Sequence, residues 1–112
     1  MRDFQSLCQV RRSFRKYTNA PVEQEKLDYI MRCALMSPAG KRMNPWHFVV
    51  IKNEEILRQL AGCRTYGSGM FDTAMAGIVV AADTSIIDTW QCDAVIAAQN
   101  IWLAATDQGL GA

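Results

Sequence analysis

"TWQCDAVIAAQNIWLAATDQGLGA" (89–112) is the stretch from which the rest of the chain is read. Between residues 90 and 108, Trp90, Ala94, Ala97, Ala98, Ile101, Trp102 and Ala105 recur at helical spacing, and Val95, Ile96 and Leu103 widen that face. A helix that is apolar around most of its circumference belongs in the centre of a domain or against a partner chain, not on the surface of a small monomer. Asp88 or Thr89 is the expected N-cap and Gly109 the expected C-cap.

Working outward, "AMAGIVVAAD" (74–83) is a continuous apolar run, the pattern of a strand covered on both faces. "WHFVVIK" (46–52) is rich in aromatic and β-branched residues and predicts a second strand. Between them lie a short helix over 54–61, with Ile56, Leu57 and Leu60 inward, and a flexible joint at "YGSG" (66–69). Towards the N-terminus, Leu27, Ile30, Met31, Ala34 and Leu35 form one stripe of a helix over 23–36, with Glu23 and Glu25 opposing its positive end. Pro38 ends that helix and opens the loop "SPAGKRMNP" (37–45). Phe4, Leu7 and Cys8 predict a short amphipathic helix over 2–10. The order α, α, β, α, β, α is of the α+β class. Two strands make a poor sheet, so residues 1–112 read as the front part of one larger α+β domain.

Half of the 112 residues are hydrophobic, enough for the core of a single domain. Lys and Arg number 12 and Asp and Glu 11, a balance that excludes a general polyanion binder such as a nucleic-acid module. No apolar run approaches the roughly 20 residues of a membrane span, and the N-terminus lacks the apolar segment of a signal peptide; a cytoplasmic protein with no membrane association is expected. Cys8, Cys33, Cys63 and Cys92 are too far apart for a metal or redox pair and read as structural thiols of a reducing compartment. His47 stands alone, so no metal site is expected, and it reads as a strand histidine with a structural hydrogen bond.

One segment departs from this balance. "RRSFRKY" (11–17) places four cations in seven residues. Read from the residues alone, it is either a solvated basic turn or a cradle for one small anion.

Three stretches together resemble the nitroreductase family of flavin enzymes. "RRSFRKY" is similar to its R-R-S-x-R-x-F/Y. "SPAGKRMNPWHFVVI" is similar to its P-S-S-x-N-x-Q-P-W-x-F and following strand. "WQCDAVIAAQNIWLAATDQGLGA" is similar to its W-x-x-D-x-x-x-A-x-x-x-x-L-A-A-x-x-x-G-L-G. The order and spacing of all three carry the resemblance over nearly the whole chain.

The resemblance implies a nitroreductase-like α+β fold with a central, mainly antiparallel sheet. Family members continue past "GLG", so the resemblance also implies that the family's C-terminal part is absent from these residues. It implies FMN as cofactor, NADH or NADPH as hydride donor, and a nitroaromatic, quinone or similar small acceptor. It further implies a homodimer with flavin sites shared between subunits. Arg11 and Ser13 would hold the phosphate and ribityl chain, with Arg12 supporting them, and Arg15 would face the pyrimidine edge. A cation there stabilises the reduced ring, and the planar guanidinium stays charged. Lys16 would be surface. The loop 38–44 would be the other subunit's contribution, through Pro38, Ala39, Gly40, Arg42 and Asn44. Ala39 and Gly40 stand where the family has serines, Arg42 where it has Asn, and Asn44 where it has Gln; backbone N–H groups would then serve, and Gly40 would permit close approach. Pro45 and Trp46 would fix the loop exit and fill core, and Asp93 would be a structural acid. Met31, Met36 and Met43 read as core packing. Hydride transfer needs no protein nucleophile, so no catalytic side chain is assigned. The alternatives are same-fold chemistry, such as reductive dehalogenation or flavin breakdown, and a flavin-binding or dimerising module without turnover.

Overall fold

Asp3 accepts the Ser6 N–H at 2.8 Å and so caps α1 (Phe4–Val10) in a computed structural model that describes residues 3–112. An irregular segment then leads to α2 (Gln24–Leu35), whose stripe buries Leu27, Ile30 and Ala34. The loop that follows contains a 3₁₀ turn at Gly40–Arg42 and delivers the chain into β1 (Trp46–Ile51). Helix α3 (Glu54–Ala61) starts where the Asn53 side chain accepts the Ile56 N–H at 3.0 Å, and it buries Leu57. A second 3₁₀ turn, Gly69–Asp72, precedes β2 (Gly77–Ala82), and α4 (Trp90–Asp107) completes the order.

β1 and β2 pair antiparallel, from Trp46 opposite Ala82 to Ile51 opposite Gly77. Helix α4 packs against α2, β2, β1 and α1. The centre of the core is Ile30, Ala104 and Ala105, surrounded by Tyr29, Cys33, Ile78, Ile101 and Leu110. There Ile30 of α2 packs with the small Ala104 and Ala105 of α4. Beyond the helix end, Gly109 takes a positive φ of 75°, which costs glycine no Cβ clash. Its N–H donates to Thr106 O at 3.0 Å and that of Leu110 to Ala105 O at 2.9 Å, a Schellman closure that folds Leu110 back onto the core.

Several expectations need correction. The apolar run 74–83 is not a strand covered on both faces. Val49 and Val79, opposite each other in register and so on one face of the two-stranded sheet, are both exposed, so among the described residues the sheet has that face uncovered there. Its unfilled face agrees with a radius of gyration of 14.4 Å, above the roughly 13 Å of a closed domain of this length. Helix α4 buries Asp93, Ala97, Ala104 and Ala105, but Val95 and Ile96 point outward and Ala98 is exposed. The joint 66–69 is anchored, since the buried Ser68 hydroxyl donates to Ala61 O at 2.8 Å. Met36 and Met43 are exposed rather than core. His47 is exposed beside Asp83, and its side chain makes no hydrogen bond among the described residues. The four cysteines are free, but Cys8, Cys63 and Cys92 lie at the surface, so only Cys33 suits a packing role. No helix among the described residues is long and apolar enough to cross a membrane.

Candidate functional site

The Arg11 N–H closes α1 on Leu7 O at 3.0 Å, and the chain then runs extended. That places the Arg11 guanidinium over the Trp102 ring, 4.3 Å from its centroid. Such a cation–π contact fixes a long side chain without neutralising it. Arg12 turns back: one guanidinium nitrogen donates to Gln9 O at 2.6 Å and to Arg11 O at 2.9 Å, bracing the backbone around Arg11. Ser13, Arg15 and Lys16 are exposed. The segment is pinned at three points. Phe14 N–H donates to Ala112 O at 3.0 Å, Tyr17 N–H to Thr73 Oγ1 at 3.0 Å, and the Tyr17 hydroxyl to Phe14 O at 2.7 Å. Burial pushes the Tyr17 phenol up, and the nearby charge of Arg15 pulls it partly back.

No carboxylate among the described residues pairs with Arg11, Arg12 or Arg15; the ion pairs there are Lys26–Glu23 and Arg58–Glu54. The buried Nε1 of Trp102 also has no hydrogen-bond partner. Guanidinium groups are donors only, and a hydroxyl at Ser13 adds a neutral donor. A donor set of this kind, lacking an internal counter-ion, fits a phosphate-bearing ligand such as FMN.

The loop is built in the opposite way. From Ser37 to Gly40 it runs back along α4, tied where Asn100 donates to Ser37 Oγ at 2.8 Å and where Gly40 N–H donates to Asp93 Oδ1 at 3.1 Å. Arg42 N–H then donates to Ala39 O at 3.1 Å and Met43 N–H to Gly40 O at 3.0 Å. Three non-glycine residues have left-handed backbones: Lys41 at φ 50°, Arg42 at 57° and Asn44 at 48°. That conformation costs about 1–2 kcal/mol per residue, less for Asn. Pro45 is fully buried and its carbonyl accepts the Asp83 N–H at 2.8 Å; Trp46 fills core beside it, as expected of both. The expectation that Gly40 offers its backbone to a ligand is corrected: its N–H is committed to Asp93, and the space of its missing side chain is filled by Thr89. Pro38, Lys41, Arg42 and Asn44 are exposed and Ala39 is half-buried, so Lys41, Arg42 and Asn44 carry what the loop can present.

One chain does not bring the two halves together. Asp93, which holds the loop, and Trp102, which holds Arg11, are both on α4. Their spacing puts them on opposite sides of that helix and roughly 14 Å apart along it. The stacking role of Trp102 and the latching role of Thr89 had no local signal in the sequence. Trp102 reads there as one more apolar position, and Thr89 as a helix cap. In the structure Thr89 is the N-cap residue but makes no side-chain cap; its hydroxyl donates instead to Asp93 Oδ2 at 3.1 Å.

Residues 9–63 match the profile of the Nitroreductase family. Over 98% of its length the chain is 39% identical to a protein of Methanothermobacter thermautotrophicus named for NADH dehydrogenase or NAD(P)H nitroreductase activity, of which it covers 59%. A solved FMN-dependent nitroreductase from Clostridium difficile R20291 superposes with a TM-score of 0.94 at 41% identity, covering 96% of this chain and 63% of that one. A shorter match, 46% identical over 52 residues, reaches 46% of this chain and 19% of iodotyrosine deiodinase from Hydra vulgaris. The chain thus spans about six tenths of the length of the relatives that match it end to end.

Proposed function

This chain belongs to the nitroreductase family, and from that premise we propose that it is an FMN-dependent oxidoreductase that takes electrons from NADH or NADPH and delivers them to a small acceptor such as a nitroaromatic or quinone. The observation that carries the reading is the uncompensated cation cluster at Arg11, Arg12 and Arg15, with Arg11 already oriented on Trp102. Arg11 and Ser13 hold the phosphate and ribityl end, Arg12 braces Arg11 from behind, and Arg15 lies toward the ring. FMN held there would supply the redox chemistry of hydride transfer between the nicotinamide and the acceptor. The protein's part is to orient the ring, to set its electrostatics and to limit water around it.

The site belongs to a homodimer. Its two halves face opposite sides of α4, so closing both around one ligand requires the loop of a second copy. The exposed Leu35, Met36, Val95 and Ile96 supply the apolar surface for that association. The local likeness to iodotyrosine deiodinase supports a second reading, reductive dehalogenation at the same flavin.

The deciding experiment is the absorbance spectrum of the purified protein. A bound-flavin spectrum that bleaches with NADH or NADPH and returns with a nitroaromatic or quinone is the expected result. Return only with a halogenated phenol, with halide release, moves the assignment to the second reading. A colourless protein that takes up no added FMN removes both.

A further inference from the structure

We propose that Asp93 is a positioning residue, a buried latch that sets the backbone of the loop carrying Lys41, Arg42 and Asn44. Its functional consequence rests on the flavin reading above; the latch itself does not.

Asp93 is 3% exposed, and each carboxylate oxygen has one partner: Oδ1 accepts the Gly40 N–H and Oδ2 the Thr89 hydroxyl, both at 3.1 Å. Thr89 in turn occupies the place where a side chain at residue 40 would be. A Cβ built on Gly40 collides with Thr89 Oγ1 and lies 3.4 Å from Thr89 Cβ and 3.5 Å from Ile87 Cγ1. Asp93, Thr89 and Gly40 therefore form one closed unit, in which the hydroxyl that Asp93 orients keeps residue 40 a glycine. Gly40 is also the last fixed point before the left-handed residues Lys41, Arg42 and Asn44. A backbone in that region relaxes unless its surroundings over-determine it. Downstream the loop is held by Pro45 and Trp46 in the core, and upstream by Gly40 on Asp93. Release of the upstream end frees Arg42 and Asn44 to swing to extended backbone and re-aims both side chains. An acid suits the position because it lies in the first turn of α4, at the positive end of the helix.

The test uses the full chain with two readouts. The first is limited trypsin cleavage after the exposed Lys41 and Arg42, normalised to cleavage after Arg15 and Lys16. The second is FMN affinity by fluorescence titration. Asp93→Ala leaves the Gly40 N–H without its acceptor and is expected to raise the normalised cleavage on the order of tenfold, with a similar loss of FMN affinity. Asp93→Asn still offers an oxygen to Gly40 and lets the Thr89 hydroxyl accept from its amide, so it should stay within about threefold of the parent. Should Asp93→Ala not fold, Gly40→Ala and the double variant Gly40→Ala/Thr89→Ala decide the matter. The single variant is then expected to open the loop, and removal of Thr89 Oγ1 to restore most of its protection. Parent-like cleavage in folded Asp93→Ala, Asp93→Asn as open as Asp93→Ala, or no rescue by Thr89→Ala would each overturn the latch. If the parent binds no FMN, the flavin reading fails, while the cleavage order still judges the latch.

Discussion

Residues 11–17 and residues 37–45 reach their places by opposite means. The first segment is extended, anchored at Phe14 and Tyr17, and leaves its arginines without acidic partners. The second uses the N–H groups of Gly40, Arg42 and Met43 inside the chain and holds three non-glycine residues at positive φ. In the first half the charge is left without a counter-ion on an ordinary extended backbone; in the second an unusual backbone shape is imposed and the charge is carried at its tip. Loss of a cation should therefore hurt the first half most, and loss of an anchor the second.

The largest expected effect falls on the first half. Arg11→Ala removes at most two charge-assisted hydrogen bonds of about 1.5–3 kcal/mol each, so FMN affinity should fall more than tenfold. Flavin titration checks this, and unchanged affinity would mean that the cluster is only a solvated turn. A smaller loss distinguishes orientation from charge. Trp102→Leu removes the surface on which Arg11 lies, a contact of about 0.5–2 kcal/mol, and should weaken FMN several-fold, whereas Trp102→Phe should keep most of the affinity. Equal losses in the two variants would show that the ring does not orient Arg11.

Arg15→Ala sharpens the comparison within one segment. Its guanidinium is exposed, so binding of oxidised flavin should change by no more than about threefold. The reduction potential of the bound flavin should nevertheless drop, because the anionic reduced ring loses a cation; spectro-electrochemistry reads it directly. The smallest effect lies outside both halves, where α2 meets α4. The Tyr29 hydroxyl donates to Asp107 Oδ2 at 2.8 Å, and that bond, with burial, pushes the phenol from 10.0 up to about 12. A raised phenol value means that the neutral form is the stabilised one. Its contribution is complete below pH 10 and is lost as pH rises towards about 12. Denaturant midpoints should decline across that window in the parent more than in Tyr29→Phe, while FMN affinity at neutral pH stays the same in both.

Much of this architecture is legible in the sequence. The stripe of Leu27, Ile30 and Ala34 has helical period, Pro38 and Gly109 punctuate, and "WHFVVI" is β-branched and aromatic; each is a local steric or entropic preference, and each element lies within a residue or two of its expected span at most ends. The exception, the strand expected over 74–83, starts only at Gly77; Ala74 lies just past the preceding 3₁₀ turn, and its N–H is held by Met70 O at 3.1 Å. Ala39, Gly40, Arg42 and Asn44 were identifiable as a loop, and Arg11 and Arg15 as a cation cluster. The residues alone allow that cluster to be a solvated turn or an anion cradle, since charge spacing does not say whether a counter-ion is nearby.

Composition, short-range preferences and motif order yield the helices, the two strands, the charge balance and the resemblance to the nitroreductase family. Three-dimensional packing is what sets Arg11 on Trp102, commits the Asp93 carboxylate to Gly40 and Thr89, and puts these two anchors on opposite sides of one helix. Those contacts join residues far apart in the chain, and no local preference encodes which buried group will stand opposite which.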